Sequence, residues 1–380
     1  MVIELRGVEF HNKGAELMLW AIVEKIKKEI PHATFVMETK RNVTIKDLRS
    51  AGFCTKINYH QYRINAAKWA SILPKSITRT FGFILEKHID VVLDGSGFAF
   101  GDYWGDGKAK SRLSNHVERW QRTNKKIILL PQAFGPFEEP ELRNSMLKII
   151  ENCNLIFARD PYSFTYLKDL KHKSNIHIKP DFTNLIKGTA PKYFTNQHLQ
   201  VAIIPNSKLI QTNVFDSITN YVAVLNKMAE LIVQCGKVPF FLIHEGLNDL
   251  SLAVNVNTTF GKSIPIITEK NPLCIKGIIG ACDAVITSRF HGLVSALSQA
   301  IPTLCIGWSH KYQALMDEYD HSEGLLKNED LNDSGLREKI TLLLEKEAQT
   351  QVKTKLMKAS IKQKELSESM WKMVFEVLKS

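Results

Sequence analysis

Short apolar runs alternate with amphipathic helical stripes along most of this chain, and that alternation constrains the fold more than any other feature. Residues 2–8 predict a strand, residues 14–30 a helix and residues 34–38 the next strand. This order is typical of a parallel sheet covered by helices. The pattern continues in three further short apolar runs, at 90–93, 126–130 and 155–158. We therefore expect an α/β fold with a doubly wound parallel sheet.

The strand–helix rhythm stops near residues 180–200 and starts again at 201–204, so a chain of 380 residues is expected to form two such domains. Their strand-end loops would face each other across a cleft. The less regular stretch 40–85 predicts helices that cover the first sheet. The predicted boundaries are an N-terminal α/β domain over 1–185, a C-terminal α/β domain over 186–350 and a C-terminal helix over 351–380.

The net charge of +11 favours anionic partners, but the basic residues are scattered and no nucleic-acid partner is expected. Contact of the lysine-rich C-terminal helix with an anionic membrane is kept as an alternative to packing against the N-terminal domain. There is no signal-peptide pattern and no bilayer-length apolar run. Six dispersed cysteines predict free thiols in the cytoplasm. Without paired ligand spacing, no bound metal is expected. The glycine loop at 94–97 lacks the third glycine of a dinucleotide fingerprint and there is no Walker A loop, so no cofactor is expected either.

Residues 285–297 contain the most informative local pattern, an apolar strand, a turn and an apolar helix in immediate succession. Ser288, Arg289 and His291 fall in the turn and at the helix start. Unpaired backbone N–H groups and the positive end of the helix dipole favour an anion there. The sequence thus predicts a phosphate or carboxylate pocket with one group that titrates near neutral pH.

Further polar residues and glycines follow other predicted strands, where ligands of doubly wound sheets bind. Simpler interpretations stay open for most of them: the asparagine can cap the first helix, the glycines can form a tight turn, and the His-Glu pair can be an ordinary turn. Asp160 before Pro161 predicts a helix cap, which leaves the preceding arginine freer. These candidate residues are Asn12, Asp94, Gly95, Gly97, Gln132, Arg159, His244 and Glu245.

Seven ordered motifs make the chain resemble the polysaccharide pyruvyltransferases over most of its length. They are Asn12-Lys-Gly-Ala-Glu16, Asp94-Gly-Ser-Gly97, Pro131-Gln-Ala-Phe-Gly-Pro136, Ala158-Arg-Asp160, Pro180-Asp181, His244-Glu245 and, most specific, Thr287-Ser-Arg-Phe-His291. The chain departs from the family in having few glycines after Asp94. It also has Gly292 where alanine is frequent.

The resemblance implies a GT-B-like fold and transfer of a pyruvyl group from phosphoenolpyruvate to a nucleotide- or lipid-linked sugar, with ketal formation and release of phosphate. In that scheme His291 is the general acid/base and Arg289 clamps the donor, assisted by Arg159 and Lys311. The glycine loop with Asn12 and Gln132 would face the acceptor sugar. His244 with Glu245 would supply a second proton-transfer group.

Two other functions remain as alternatives. The same fold can serve a glycosyltransferase that uses a nucleotide sugar, because a fold does not determine chemistry. A non-catalytic protein that binds a sugar or a phosphate would also suit a basic strand-end pocket.

Overall fold

The computed structural model describes residues 1–39, 43–57, 79–194 and 199–380. The chain divides into two compact units. The first contains residues 1–10, 18–181 and 368–380, and the second contains residues 11–17 and 182–367. The main division thus falls four residues before the boundary predicted at 185/186, and a short N-terminal segment belongs to the second unit.

The first unit is built on a parallel sheet whose strands, within the described residues, follow the order β4-β3-β2-β1-β5-β7-β8-β9, with β6 pairing beside β7. The strand order changes direction between β1 and β5: the strands β2 to β4 are added on one side of β1, and β5 begins the other side. The strands are β1 (Val2–Arg6), β2 (Thr34–Met37), β3 (Cys54–Ile57), β4 (Phe83–Leu85), β5 (Val91–Asp94), β6 (Phe98–Phe100), β7 (Lys126–Phe134), β8 (Leu155–Ala158) and β9 (Ile176–Ile178).

The helices near this sheet are α1 (Lys13–Glu29), α2 (Ile45–Ser50), α3 (Gly105–Ala109), α4 (Val117–Arg122), α5 (Pro140–Asn152) and α6 (Pro161–Leu170). A π-helical segment, Lys110–Ser114, follows α3 directly. Asp160 caps α6, as predicted, by accepting a hydrogen bond from the Ser163 backbone N–H at 2.8 Å.

The prediction for residues 40–85 was wrong in its described part, which contributes β3 and β4 besides the short α2. The strand β3 is hard to recognise because its Lys56 is buried in the core. The Lys56 ammonium lies 2.9 Å from both carboxylate oxygens of the fully buried Glu4. A buried ion pair of this kind removes the apolar alternation on which strand prediction depends. The part of this stretch at 58–78 lies outside the described residues.

The second unit contains the parallel order β12-β11-β10-β13-β14-β15, which is the strand order of a dinucleotide-binding sheet. Its strands are β10 (Val201–Ile204), β11 (Pro239–Ile243), β12 (Ile266–Thr268), β13 (Ala284–Thr287), β14 (Thr303–Ile306) and β15 (Leu325–Leu326). Its helices are α7 (Lys208–Gln211), α8 (Ile218–Gln234), α9 (Gly246–Phe260), α10 (Pro272–Gly280), α11 (Phe290–Leu297), α12 (His310–Glu318) and α13 (Asp333–Leu344). The strand order changes direction between β10 and β13: β11 and β12 are added on one side of β10, and β13 to β15 on the other.

The C-terminal helix α14 (Lys346–Lys379) belongs to the second unit up to Ser367 and to the first from Glu368. In the first unit it buries Trp371 and Val374, which are the residues a membrane-binding helix would have to expose. None of the helices within the described ranges combines the length and apolar character needed to cross a bilayer. All six cysteines have free thiols.

Candidate active site

The candidate site lies at the carboxyl end of the second sheet, beside the point between β10 and β13 where the strand order changes direction. The strand β13 ends at Thr287, and α11 begins at Phe290, as the sequence predicted. Arg289 is the N-cap residue of α11, and its side chain makes no capping hydrogen bond. Ligands of doubly wound sheets bind at such a reversal, where a helix start offers N–H groups.

Three side chains from other parts of the second unit hold Ser288 in place, two at its carbonyl oxygen and one at its hydroxyl. Its carbonyl oxygen accepts hydrogen bonds from Asn206 Nδ2 at 2.8 Å and Tyr312 Oη at 3.1 Å. The Ser288 hydroxyl lies 3.3 Å from Tyr221 Oη. Burial raises the pKa of Tyr221 to about 12, so this phenol stays protonated. Ser288, predicted to bind substrate, is itself buried, and its contacts hold the turn that carries Arg289.

The Arg289 guanidinium lies between two carboxylates of α9 and its N-cap. Its Nε and NH2 groups contact Asp249 Oδ2 at 2.8 and 2.6 Å, and its NH1 group pairs with Glu245. Burial raises the pKa of the Asp249 carboxyl, while Arg289 and the Ser207 N–H oppose that rise. The sequence led us to expect an arginine open to the donor, whereas the structure shows one already held by protein carboxylates.

The His291 side chain packs against the first turn of α1, which belongs to the same compact unit. A Cβ atom at Gly14 would lie only 2.3 Å from His291 Nδ1 and 2.8 Å from its Cγ. The imidazole also meets the Phe290 ring edge-on, with centroids 5.6 Å apart. Because residue 14 is a glycine and has no side chain, the imidazole of His291 can occupy this position.

Asn12 links this segment to the guanidinium. Its Oδ1 accepts a hydrogen bond from the Ala15 backbone N–H at 3.0 Å. Asn12 therefore caps α1, which was the simpler interpretation of this residue in the sequence analysis. Its Nδ2 donates to Glu245 Oε1 at 2.9 Å. Asn12 thus lies in the second unit beside Glu245 and Arg289, although the sequence placed it in the N-terminal domain.

His244, at the end of β11, is buried and stays neutral. Desolvation, followed by the positive charges of Arg289, His291 and Lys13, lowers the pKa of His244 to about 3. A neutral imidazole cannot deliver a proton as an imidazolium at neutral pH. The role of second proton-transfer group predicted for His244 is therefore not favoured by its surroundings.

This low pKa predicts a pH dependence of stability. Between about pH 3 and pH 6.5, His244 binds a proton in the unfolded chain but not in the folded one, so its contribution to stability falls as the pH is lowered through that interval. We expect the wild type to lose more unfolding free energy between pH 7 and pH 5 than His244→Gln does, as measured by urea denaturation. Equal losses in both proteins would contradict this assignment.

Lys311, in the first turn of α12, lies among three aromatic rings. Its Nζ is 4.6 Å from the Trp308 centroid, 5.3 Å from Phe290 and 5.6 Å from Tyr312. Such contacts stabilise an ammonium by their ring quadrupoles. Since Phe290 also touches His291, Lys311 is connected to the same site.

Apart from Asn12, the predicted acceptor residues lie within the first unit. Asp94 Oδ1 accepts hydrogen bonds from Gln132 Nε2 at 3.2 Å and from the Ser96 backbone N–H at 3.1 Å. The other Asp94 oxygen and Gln132 Oε1 are buried and lack a hydrogen-bond partner among the described residues, although Arg112 Nε lies 4.0 Å from that Asp94 oxygen. Gln132 sits within β7 rather than after it, since the strand continues past Pro131.

The two glycines of this loop have structural explanations. A Cβ atom at Gly95 would lie 3.1 Å from Val8 and 3.3 Å from Ile22, so the loop packs closely on the β1–α1 layer. Gly97 has a φ of 70°, which other residues rarely adopt. These observations match the tight-turn interpretation that was left open.

Arg159 also lies in the first unit, and it is buried. Its NH1 group donates to Asp181 Oδ2 at 3.3 Å, and both side chains are at most 4% exposed. A guanidinium in this position joins the loop after β8 to the end of the 18–181 segment of the unit.

Sequence reasoning missed Asp249, Asn206 and Gly14. Asp249 follows Glu245 by four residues at a helix start, so helical spacing could have placed both carboxylates on one face. Asn206 follows β10 and could have been included with the other strand-end residues. Gly14 lies inside the Asn12–Glu16 motif, but the sequence could not show its close approach to His291, because that contact depends on the tertiary fold.

Comparison with known proteins gives one family and one fold. The family described as "Polysaccharide pyruvyl transferase" matches residues 12–310. Three solved structures share the fold over almost the whole of both chains. They are S. aureus MnaA with UDP (12% identity, 100% of this chain and 96% of that chain, TM-score 0.60), Anabaena Alr3699/HepE with UDP and glucose (12%, 100% and 99%, 0.56) and the pneumococcal O-GlcNAc transferase GtfA with UDP and GlcNAc (9%, 100% and 99%, 0.59).

Proposed function

Since the chain belongs to the polysaccharide pyruvyl transferase family and is a transferase, we propose that it moves a pyruvyl group from phosphoenolpyruvate to a sugar of a polysaccharide or its precursor. The observation that supports this most is that Arg289 and His291 both lie at the start of α11. Both lie inside the matched region. They combine an anion-binding cation with a titratable group at a strand-end site.

The proposed reaction has two steps. A sugar hydroxyl adds to C2 of phosphoenolpyruvate while C3 gains a proton, so the carbon–carbon double bond becomes a methyl group on a tetrahedral carbon. A second hydroxyl of the same sugar then bonds to C2, the C2–O bond to phosphate breaks, and the hydroxyl proton leaves with phosphate or a base. The products are a cyclic ketal and inorganic phosphate, and no oxidant is required.

Each step requires proton transfer and charge neutralisation. His291 would supply the C3 proton and later accept one from the second hydroxyl, which is the general acid–base role that histidine takes most often in enzymes. Arg289 and the N–H groups of α11 would bind the donor phosphate or carboxylate, and Lys311 would add a second cation.

The acceptor is proposed to carry a nucleotide or a lipid. The three fold relatives are structures with UDP, which favours a nucleotide-linked sugar, although similarity at 9–12% identity concerns the fold alone. The same observation favours the second candidate, a glycosyltransferase that uses a nucleotide sugar. Free thiols and the use of phosphoenolpyruvate fit a cytoplasmic reaction.

The test is to incubate the full chain with phosphoenolpyruvate and a panel of nucleotide- and lipid-linked sugars, following inorganic phosphate and the mass of each acceptor. We expect phosphate release that depends on one acceptor, with addition of a ketal to that acceptor. In a parallel thermal-shift assay, phosphoenolpyruvate at about a hundred times its dissociation constant should stabilise the protein by about 2.7 kcal/mol.

Three outcomes separate the candidate functions. Stabilisation by nucleotide sugars alone, with sugar transfer, would replace this proposal by the glycosyltransferase. Anion binding without phosphate release for any acceptor would favour a binding protein. Phosphate release together with ketal formation excludes both.

A further inference from the structure

The two carboxylates that hold Arg289 differ in how firmly they are enclosed. Asp249 is fully buried, and it also accepts a hydrogen bond from the Ser207 backbone N–H at 2.9 Å. The Glu245 side chain keeps 29% of its surface exposed. Asp249 is therefore a fixed anchor for the guanidinium, whereas Glu245 can exchange its contact for water or for another anion.

The two carboxylates also occupy different edges of the guanidinium. An arginine can meet an oxyanion with two parallel N–H groups either at its Nε and NH2 edge or at its NH1 and NH2 edge. Asp249 occupies the first edge, with contacts from Nε and NH2. Glu245 contacts NH1, which is one of the two nitrogens of the second edge. An incoming phosphate or carboxylate that uses NH1 and NH2 together therefore competes with Glu245 for NH1.

We propose that Glu245 is a built-in competitor for the anionic group of the donor, and that it pairs with the NH1 group of Arg289 until the donor displaces it. The inference rests on the proposed function only for the identity of the donor. The exchange replaces one anion by another, so Arg289 keeps two anionic partners before and after binding. That arrangement avoids leaving a largely buried cation without a counter-charge.

Asn12 gives the displaced carboxylate an alternative partner. Its amide donates to Glu245 Oε1 at 2.9 Å, while the NH1 group of Arg289 pairs with the other oxygen, Oε2. Glu245 can therefore leave Arg289 and keep one of its hydrogen bonds. This bond lowers the cost of displacement and holds the carboxylate near the site for its return.

Glu245→Gln tests the proposal, because it removes the negative charge and keeps an oxygen that can accept from Asn12. We expect the full-length variant to bind inorganic phosphate and phosphoenolpyruvate roughly threefold to tenfold more tightly than the wild type, by isothermal titration calorimetry at one low ionic strength. Glu230→Gln is the matched control, since it removes an equal charge that pairs with Lys262. It should bind both ligands as the wild type does.

Unchanged or weaker phosphate binding by Glu245→Gln would overturn the proposal. An equal gain in Glu230→Gln would do the same, because it would show a general effect of net charge. Phosphate binding to neither the wild type nor Glu245→Gln would also overturn it. If Glu245→Gln binds phosphate more tightly but no acceptor is ever pyruvylated, the inference that Glu245 competes with an anion is supported and the proposed function is contradicted.

Discussion

His291→Ala is expected to abolish measurable ketal formation and phosphate release while leaving the melting temperature nearly unchanged. A positioned general acid or base contributes about a hundredfold to ten-thousandfold to a rate, and here one group is proposed to act in both steps. The cost in stability should be small because His291 is only partly buried, at the start of α11. The measurement is kcat/KM from phosphate release, with thermal denaturation of the same preparation.

The exposed His172 provides the matched control, since it lies in the loop after α6. His172→Ala should retain wild-type turnover. Calorimetry with inorganic phosphate adds a second check, because Arg289 and its carboxylates remain in His291→Ala and anion binding should persist. Full turnover by His291→Ala would remove this residue from the mechanism.

The second half of the chain could be predicted well because its signals are local. Asn271 and Pro272 mark the start of α10, and the Asn271 side chain caps it by accepting from the Leu273 N–H at 2.9 Å. The strand β13 and the start of α11 were predicted for the same reason. The apolar runs there are continuous, as expected of parallel strands that are buried on both faces.

The first half was harder to predict where distant polar residues pair inside the core. The buried Lys56 is explained by Glu4, 52 residues earlier. The strand β7 was expected to end before Pro131, yet it continues to Phe134 with a register shift between Leu129 and Gln132. A proline lacks the N–H that a regular ladder uses, and an irregular register accommodates this loss.

The site shows the same division between local and distant information. The turn that carries Arg289 and His291 was evident from thirteen consecutive residues, but the sequence said nothing about what surrounds each side chain. Asp249 and Glu245 determine how much of the guanidinium a ligand can reach. Those contacts span 40 and 44 residues and depend on the strand order of the second sheet.

Gly14→Ala is expected to impair catalysis severely although residue 14 contacts no reacting atom in the proposed mechanism. The new Cβ would lie 2.3 Å from His291 Nδ1, well inside van der Waals contact, so the imidazole must move. A displacement of about 1 Å at a catalytic group can cost on the order of a hundredfold in rate. Alanine is the better helix former, by about 1 kcal/mol, so the helix α1 itself should not be weakened.

The expected result is therefore a fall in kcat/KM of roughly a hundredfold, with retained phosphate binding at Arg289 and a melting temperature close to that of the wild type. Gly107→Ala in α3 is the matched control, because a Cβ atom there meets nothing within 4 Å. It should behave as the wild type does. Wild-type turnover by Gly14→Ala would show that catalysis does not need His291 where the structure places it. Equal losses in both variants would mean that the defect lies elsewhere than in the contact between α1 and His291.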